Sequence, residues 1–153
     1  MADLTFGGTD IKVSTARTGG GIYLDVVSGF DGVAEVRGTD IVIPGRPGLT
    51  PLSRVKHRRL IELRGYVYGN PGAASFAAQQ QDYRTHVTTL QGLIDPDDAA
   101  KSLVVTTPYL GLAAGSKSIN ARFLNAIWDV VEMGVFCRVS IQLEAVGNPP
   151  DWA

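Results

Sequence analysis

Few residues in this 153-residue chain are of a type and spacing that could do chemistry. The stretch Gly111 to Ser118, GLAAGSKS, carries the first glycine, the lysine and the final serine of the loop whose backbone N–H groups cradle a polyphosphate. Its second glycine comes one place too early, and the residues that follow alternate like a strand, whereas a phosphate site needs the N-terminus of a helix. It reads as a hairpin loop. The glycines of Thr18 to Gly21 also precede a strand-like run, which removes the dinucleotide-binding context. His57, His86 and the single Cys137 show neither HExxH nor CxxC spacing, so a transition-metal site would have to be built from scattered carboxylates. Asp95, Asp97 and Asp98 lack the alternating ligand positions of a calcium loop and read as a solvated helix end. No GxSxG elbow offers a serine nucleophile. The sequence points away from an enzyme and calls for no cofactor and no metal.

The remaining polar groups look suited to contact. In IPGRPG, Ile43 to Gly48, proline fixes the backbone at Pro44 and Pro47 and glycine permits tight reversals at Gly45 and Gly48. Arg46 is then held out as a fork of donors on a stiff mount, able to reach a carboxylate or carbonyl of a neighbour, although an ordinary surface turn would read the same way. Six of the 14 basic residues (Arg46, Arg54, Lys56, Arg58, Arg59, Arg64) fall between positions 46 and 64, with Glu62 the sole acid there. No aromatic residue is interleaved through Arg54 to Arg59, so the run reads as a solvated or partner-facing salt-bridging surface ahead of a nucleic-acid site. The net charge of −1 exerts no global pull on polyanions.

These groups must be positioned by elements that the hydrophobic pattern makes visible. Period-two runs occur at 22–27, 33–37 and 40–43, parted by Gly29, Asp31, Gly32 and Gly38 as in a β-meander. In 59–68, Ile61, Leu63, Gly65 and Val67 share one face, opposite Leu60, Glu62, Arg64, Tyr66 and Tyr68. From Val135 to Val146 one face is unbroken: Val135, Cys137, Val139, Ile141, Leu143, Ala145. That is an antiparallel strand with one wet side, and it makes Cys137 a small core residue. Strict alternation along 118–131 places Phe123 and Trp128 on opposite faces, both apolar, which predicts cover by the domain on one side and by a neighbouring subunit on the other. Between 73 and 94, Phe76, Tyr83, Val87, Leu90 and Ile94 recur at helical intervals, with Pro71-Gly72 before and Asp95-Pro96 after. Residues 101–107 return to strand. The expected fold is α+β: a mainly antiparallel β-sandwich or open barrel with one amphipathic helix packed on it, as a single domain over 1–153. No signal-like N-terminus and no membrane-length apolar run is present, so a soluble chain is expected.

The succession of strands, IPGRPG, RRLIELRGYVYG (Arg58 to Gly69) and a helix ending in LQGLID (Leu90 to Asp95) resembles the distal tail proteins of long-tailed bacteriophages. In that family a PGR-x-G turn precedes a strand of the form R-x-I-x-L-x-G-x-x-G, matched here by Arg59, Ile61, Leu63, Gly65 and, one position late, Gly69. NPPDW, Asn148 to Trp152, is similar to the close of the short distal and minor tail proteins of actinobacterial phages. The resemblance implies a tail-tube-like fold and a structural virion protein, assembled in the host cytoplasm. It would form a homo-oligomeric, hexameric ring at the tail tip, between the tail tube protein and the tail-tip hub or baseplate. DNA, without specific binding, and the tape measure protein would pass through the channel. Many members carry a further carbohydrate-binding-like domain, which is expected to be absent here. A tail tube subunit or another tail adaptor is the alternative. Candidate contacts between subunits or rings are Pro44, Gly45, Arg46, Pro47, Gly48, Arg54, Lys56, Arg58, Arg59, Phe123 and Trp128.

Overall fold

The computed structural model describes residues 3–30, 35–37, 44–45, 47, 55–95, 99–106, 115–147 and 150–153. In chain order the elements are β1 (Leu4–Phe6), β2 (Thr9–Asp10), α1 (Ala16–Gly19), β3 (Gly21–Ser28), β4 (Glu35–Arg37), β5 (Val55–Arg58), β6 (Leu60–Tyr68), α2 (Phe76–Leu93), β7 (Lys101–Thr106), β8 (Ser116–Glu132) and β9 (Phe136–Ala145). Seven strands join in the order β2-β1-β7-β8-β9-β6-β3, and β4 pairs with β5 in a separate ribbon. Each pairing is antiparallel. The expected α+β class with a mainly antiparallel open sheet is what forms.

The clean alternations behave as their pattern dictates. Ile61, Leu63 and Val67 of β6 lie buried opposite Leu143, Ile141 and Cys137 of β9, while Glu62 and Arg64 face away beside Gln142 and Ser140. Gly65 of β6 is required by space: a Cβ there would fall on the carbonyl oxygen of Tyr23 in β3. Gly69 does the same for the helix, since its Cβ would meet the Gln79 carbonyl and the Tyr83 side chain. Ser75 caps α2 by accepting a hydrogen bond from the Ala78 N–H at 3.1 Å, which moves the helix start to Phe76. Leu90 is buried, Tyr83, Val87 and Leu93 pack half-buried on the core, and Phe76 stands 59% exposed beyond the sheet.

The N-terminal strands and the four-residue helix α1 add to the expected elements. They draw the ends of the sheet together without closing it into a barrel. The Ile11 N–H donates to the Leu4 carbonyl of β1 at 3.0 Å, the Ile11 carbonyl accepts from Leu24 of β3 at 2.7 Å, and Val13 donates to Ile22 at 2.9 Å. The outer strands thus meet along a short seam, and the curled sheet encloses one apolar cluster containing Leu4, Leu24, Ile61, Leu103, Ile119 and Leu143.

The reading of 118–131 as a strand with two apolar faces needs correction. The β8–β9 register shifts between Phe123 and Asn125, with Phe123 opposite Leu143 and Ala126 opposite Ile141. Leu124 is the extra residue of a β-bulge, and an extra residue inverts the alternation beyond it. Phe123 and Trp128 therefore share the core side, both half-buried against the cluster. Ile127, 63% exposed, takes the outer side.

Candidate assembly surface

β8 is the longest strand, and it outruns its neighbour. Of its 17 residues only Ser116 to Ala121 pair with β7, so the eleven from Arg122 to Glu132 bond to β9 on one side and, among the described residues, to no strand on the other. This open edge extends for about 36 Å at the usual rise per residue. Leu124, Ile127, Val130 and Val131 along it are exposed, and Met133 at the hairpin turn is 85% exposed. The sequence had singled out Phe123 and Trp128 from this strand; the bulge turns those two to the core side and Ile127 to the outer side, while Val130, opposite Cys137, is on the core side yet 59% exposed.

The basic run divides. Arg59 is 6% exposed, and its guanidinium is engaged inside the chain: Nε donates to the Pro150 carbonyl at 3.0 Å, Nη1 to the Gly29 carbonyl at 3.0 Å, and Nη2 to Asp151 Oδ1 at 3.2 Å. Trp152 Nε1 donates to the same Gly29 oxygen at 3.0 Å, and its ring packs on Phe30 at 4.9 Å. Gly29 has φ +88°, and a Cβ there would strike the Leu60 carbonyl, so the crossing accepts no side chain. Arg59 is thus a latch tying the start of β6 to the end of β3 and to residues 150–152. Arg58 remains partly exposed, its Nε 3.2 Å from Glu144 Oε1 without hydrogen-bond geometry. Glu144 also accepts from Arg122 at 3.0 and 2.7 Å. Lys56 lies in β5, and Arg54 falls outside the described residues.

In the proline-glycine turn, Pro44, Gly45 and Pro47 are exposed, and Gly45 has φ +80°, the reversal expected of glycine after proline. Arg46 and Gly48 lie outside the described residues, as do 40–43 and 111–114; Ser116 to Ser118 open β8. Among the described residues no group of His, Cys, Asp and Glu side chains is arranged to hold a metal ion.

The outer sheet face bears an aromatic floor. Tyr23 stacks on Tyr66 at 5.3 Å and 13°, and Phe136 tilts against Tyr66 at 5.7 Å and meets the edge of Tyr68 at 5.3 Å. Burial, with Tyr23 adding to it, pushes the Tyr66 hydroxyl above its ordinary range, and the charge of Arg17 opposes the shift. A cavity of about 350 Å³ over this floor is lined by Arg17, Tyr66, Tyr68, Phe136 and Arg138. On the core side, burial holds the Cys137 thiol and the Tyr83 hydroxyl protonated, each with its pKa raised.

No protein-family model and no curated protein matches this chain. Among solved structures it is similar to the Dit protein of phage SPP1, described as a paradigm of the hub adsorption apparatus in phages that infect Gram-positive bacteria. The TM-score is 0.54 at 14% identity, over 95% of this chain and 50% of that one. The chain therefore has a Dit-like fold and spans half the length of that protein.

Proposed function

We propose that this chain is a structural component of a phage tail: a subunit of a homo-oligomeric, hexameric ring at the distal end of the tail tube. The ring joins the tail tube protein to the tail-tip hub or baseplate and leaves a channel for DNA and the tape measure protein. Its place is the virion tail tip, after assembly in the host cytoplasm. The observation that carries this reading is the open edge of β8. A long edge whose N–H and C=O groups pair with no further strand among the described residues, flanked by Ile127, Val130 and Val131, is a template for another chain. A ring in which each copy pairs with the next covers every such edge, and a head-to-tail contact that closes needs no cap. The Dit-like fold supports the same assignment. Phe123 and Trp128 then brace this strand from beneath, while Arg46, Arg54, Lys56 and Arg58 are contacts to the next subunit or ring.

The test is the double substitution Ile127→Lys, Val130→Lys. Both side chains are exposed, so the fold should keep its stability within about 0.5 kcal/mol. The charges should block edge pairing and abolish rings in electron micrographs of the purified protein. Rings that form unchanged would refute the edge as the contact. Long stacks of rings from the wild-type chain, in place of single rings, would favour a tail tube subunit.

A further inference from the structure

The outer sheet face carries a second feature, on β9 and β6 beside the open stretch of β8. The five residues lining the 350 Å³ cavity include two arginines and no carboxylate. Among the described residues neither the Arg17 nor the Arg138 guanidinium has a hydrogen bond or an ion pair. Both side chains are exposed, so their donors are available. The floor is pre-organised, because Tyr66, Tyr68 and Phe136 are locked against one another and Tyr23 backs Tyr66. A small cleft with an apolar base and a few convergent polar groups is the usual form of a specific site. Two guanidinium forks lining a cavity with aromatic rings fit a planar oxyanion attached to an apolar body.

The surrounding charges choose the source of that oxyanion. Asp129 stands opposite Arg138 in the β8–β9 ladder. Asp25 follows Tyr23 on the same side of β3, and Glu62 lies further along β6 bonded to Arg64 at 2.6 Å. Asp25 and Glu62 are ion-paired with Lys12 and Arg64, so the surroundings of the two guanidiniums are a mosaic of paired charges and not a continuous cationic track. A nucleic acid needs a continuous cationic track for its backbone, and here Lys12 and Arg64, the cations beyond the pair, are already held by Asp25 and Glu62. A single side-chain carboxylate needs no such track. We propose that Arg17 and Arg138, over Tyr66, Tyr68 and Phe136, form a binding site for an acidic peptide segment of a partner protein, one that presents a glutamate or aspartate beside an aromatic or aliphatic side chain.

Isothermal titration of the full chain with N-acetyl-Phe-Glu-Phe-amide tests this, with the Gln counterpart, inorganic phosphate and a deoxythymidine decamer as comparison probes. The Glu peptide should bind, and the Gln peptide should bind at least roughly tenfold more weakly, since each lost charge-assisted hydrogen bond is worth about that factor. Arg17→Gln and Arg138→Gln, both at exposed positions, should each weaken the Glu peptide by a similar factor and leave the circular dichroism spectrum unchanged. Arg138→Lys should restore part of the affinity. Equal binding of the Glu and Gln peptides would reduce the site to stacking alone and overturn the proposal. So would tighter binding of the decamer or of phosphate than of the Glu peptide, or indifference of the Glu peptide to both arginine substitutions.

Discussion

Replacing Arg59 by methionine keeps most of the apolar stem and removes the guanidinium. Among the described residues, the hydrogen bonds to the carbonyls of Pro150 and Gly29 and to Asp151 are lost. Hydrogen bonds to a charged group contribute about 1.5–3 kcal/mol each, and breaking a buried ion pair costs about 3–5 kcal/mol. Two features reduce the sum. Asp151 is 31% exposed and regains water, and the Gly29 oxygen keeps its bond from Trp152. The expected loss is about 3 kcal/mol, which at the usual urea dependence moves the midpoint down by roughly 1–2 M. Urea unfolding followed by circular dichroism measures it, with Arg58→Met as the control. Arg58 is partly exposed and should cost no more than about 1 kcal/mol. If the two substitutions cost the same, Arg59 belongs to the solvated surface and the latch is refuted.

Three further outcomes follow from packing and charge. Gly65→Ala drives a methyl group into the β3 backbone and should cost about 3 kcal/mol by thermal melting, whereas Gly92→Ala, on an open helical position, should stabilise by about 0.5 kcal/mol. Burial raises Cys137 above its ordinary 9.0 and Tyr66 above its ordinary 10.0, so both bind protons more tightly in the folded state than in the unfolded chain. Their stabilisation is intact below those ordinary values and lost as pH rises through the folded ones; melting temperatures should be flat near neutrality and fall from about pH 9 upward. Cys137→Ala should flatten the start of that fall.

Much of the fold could be read in the sequence because one periodicity served each element. β9 alternates without a break and α2 repeats at helical intervals, so each was placed within a few residues. The failures have a common cause, which is pairing information that no local window holds. A bulge leaves no compositional mark, so strict alternation misplaced Phe123 and Trp128 on opposite faces; the register with Leu143 and Ile141 decides the matter. Arg59 looks like any member of a basic run, and its partners lie 30, 91 and 92 residues away. The seam is formed by main-chain bonds of Ile11 and Val13, a run of three residues too short to show a period. For the outer face, Tyr66 and Tyr68 were visible on one side of β6, but only the β6–β9 and β3–β6 registers bring Phe136 and Tyr23 beside them.

Electron microscopy of the purified wild-type chain at high concentration tests the central claim most directly. The proposed function predicts closed rings with a central channel and sixfold averages, absent when Ile127 and Val130 are lysine. A population of monomers alone, with the β8 edge uncovered and no ring at any concentration, would contradict it.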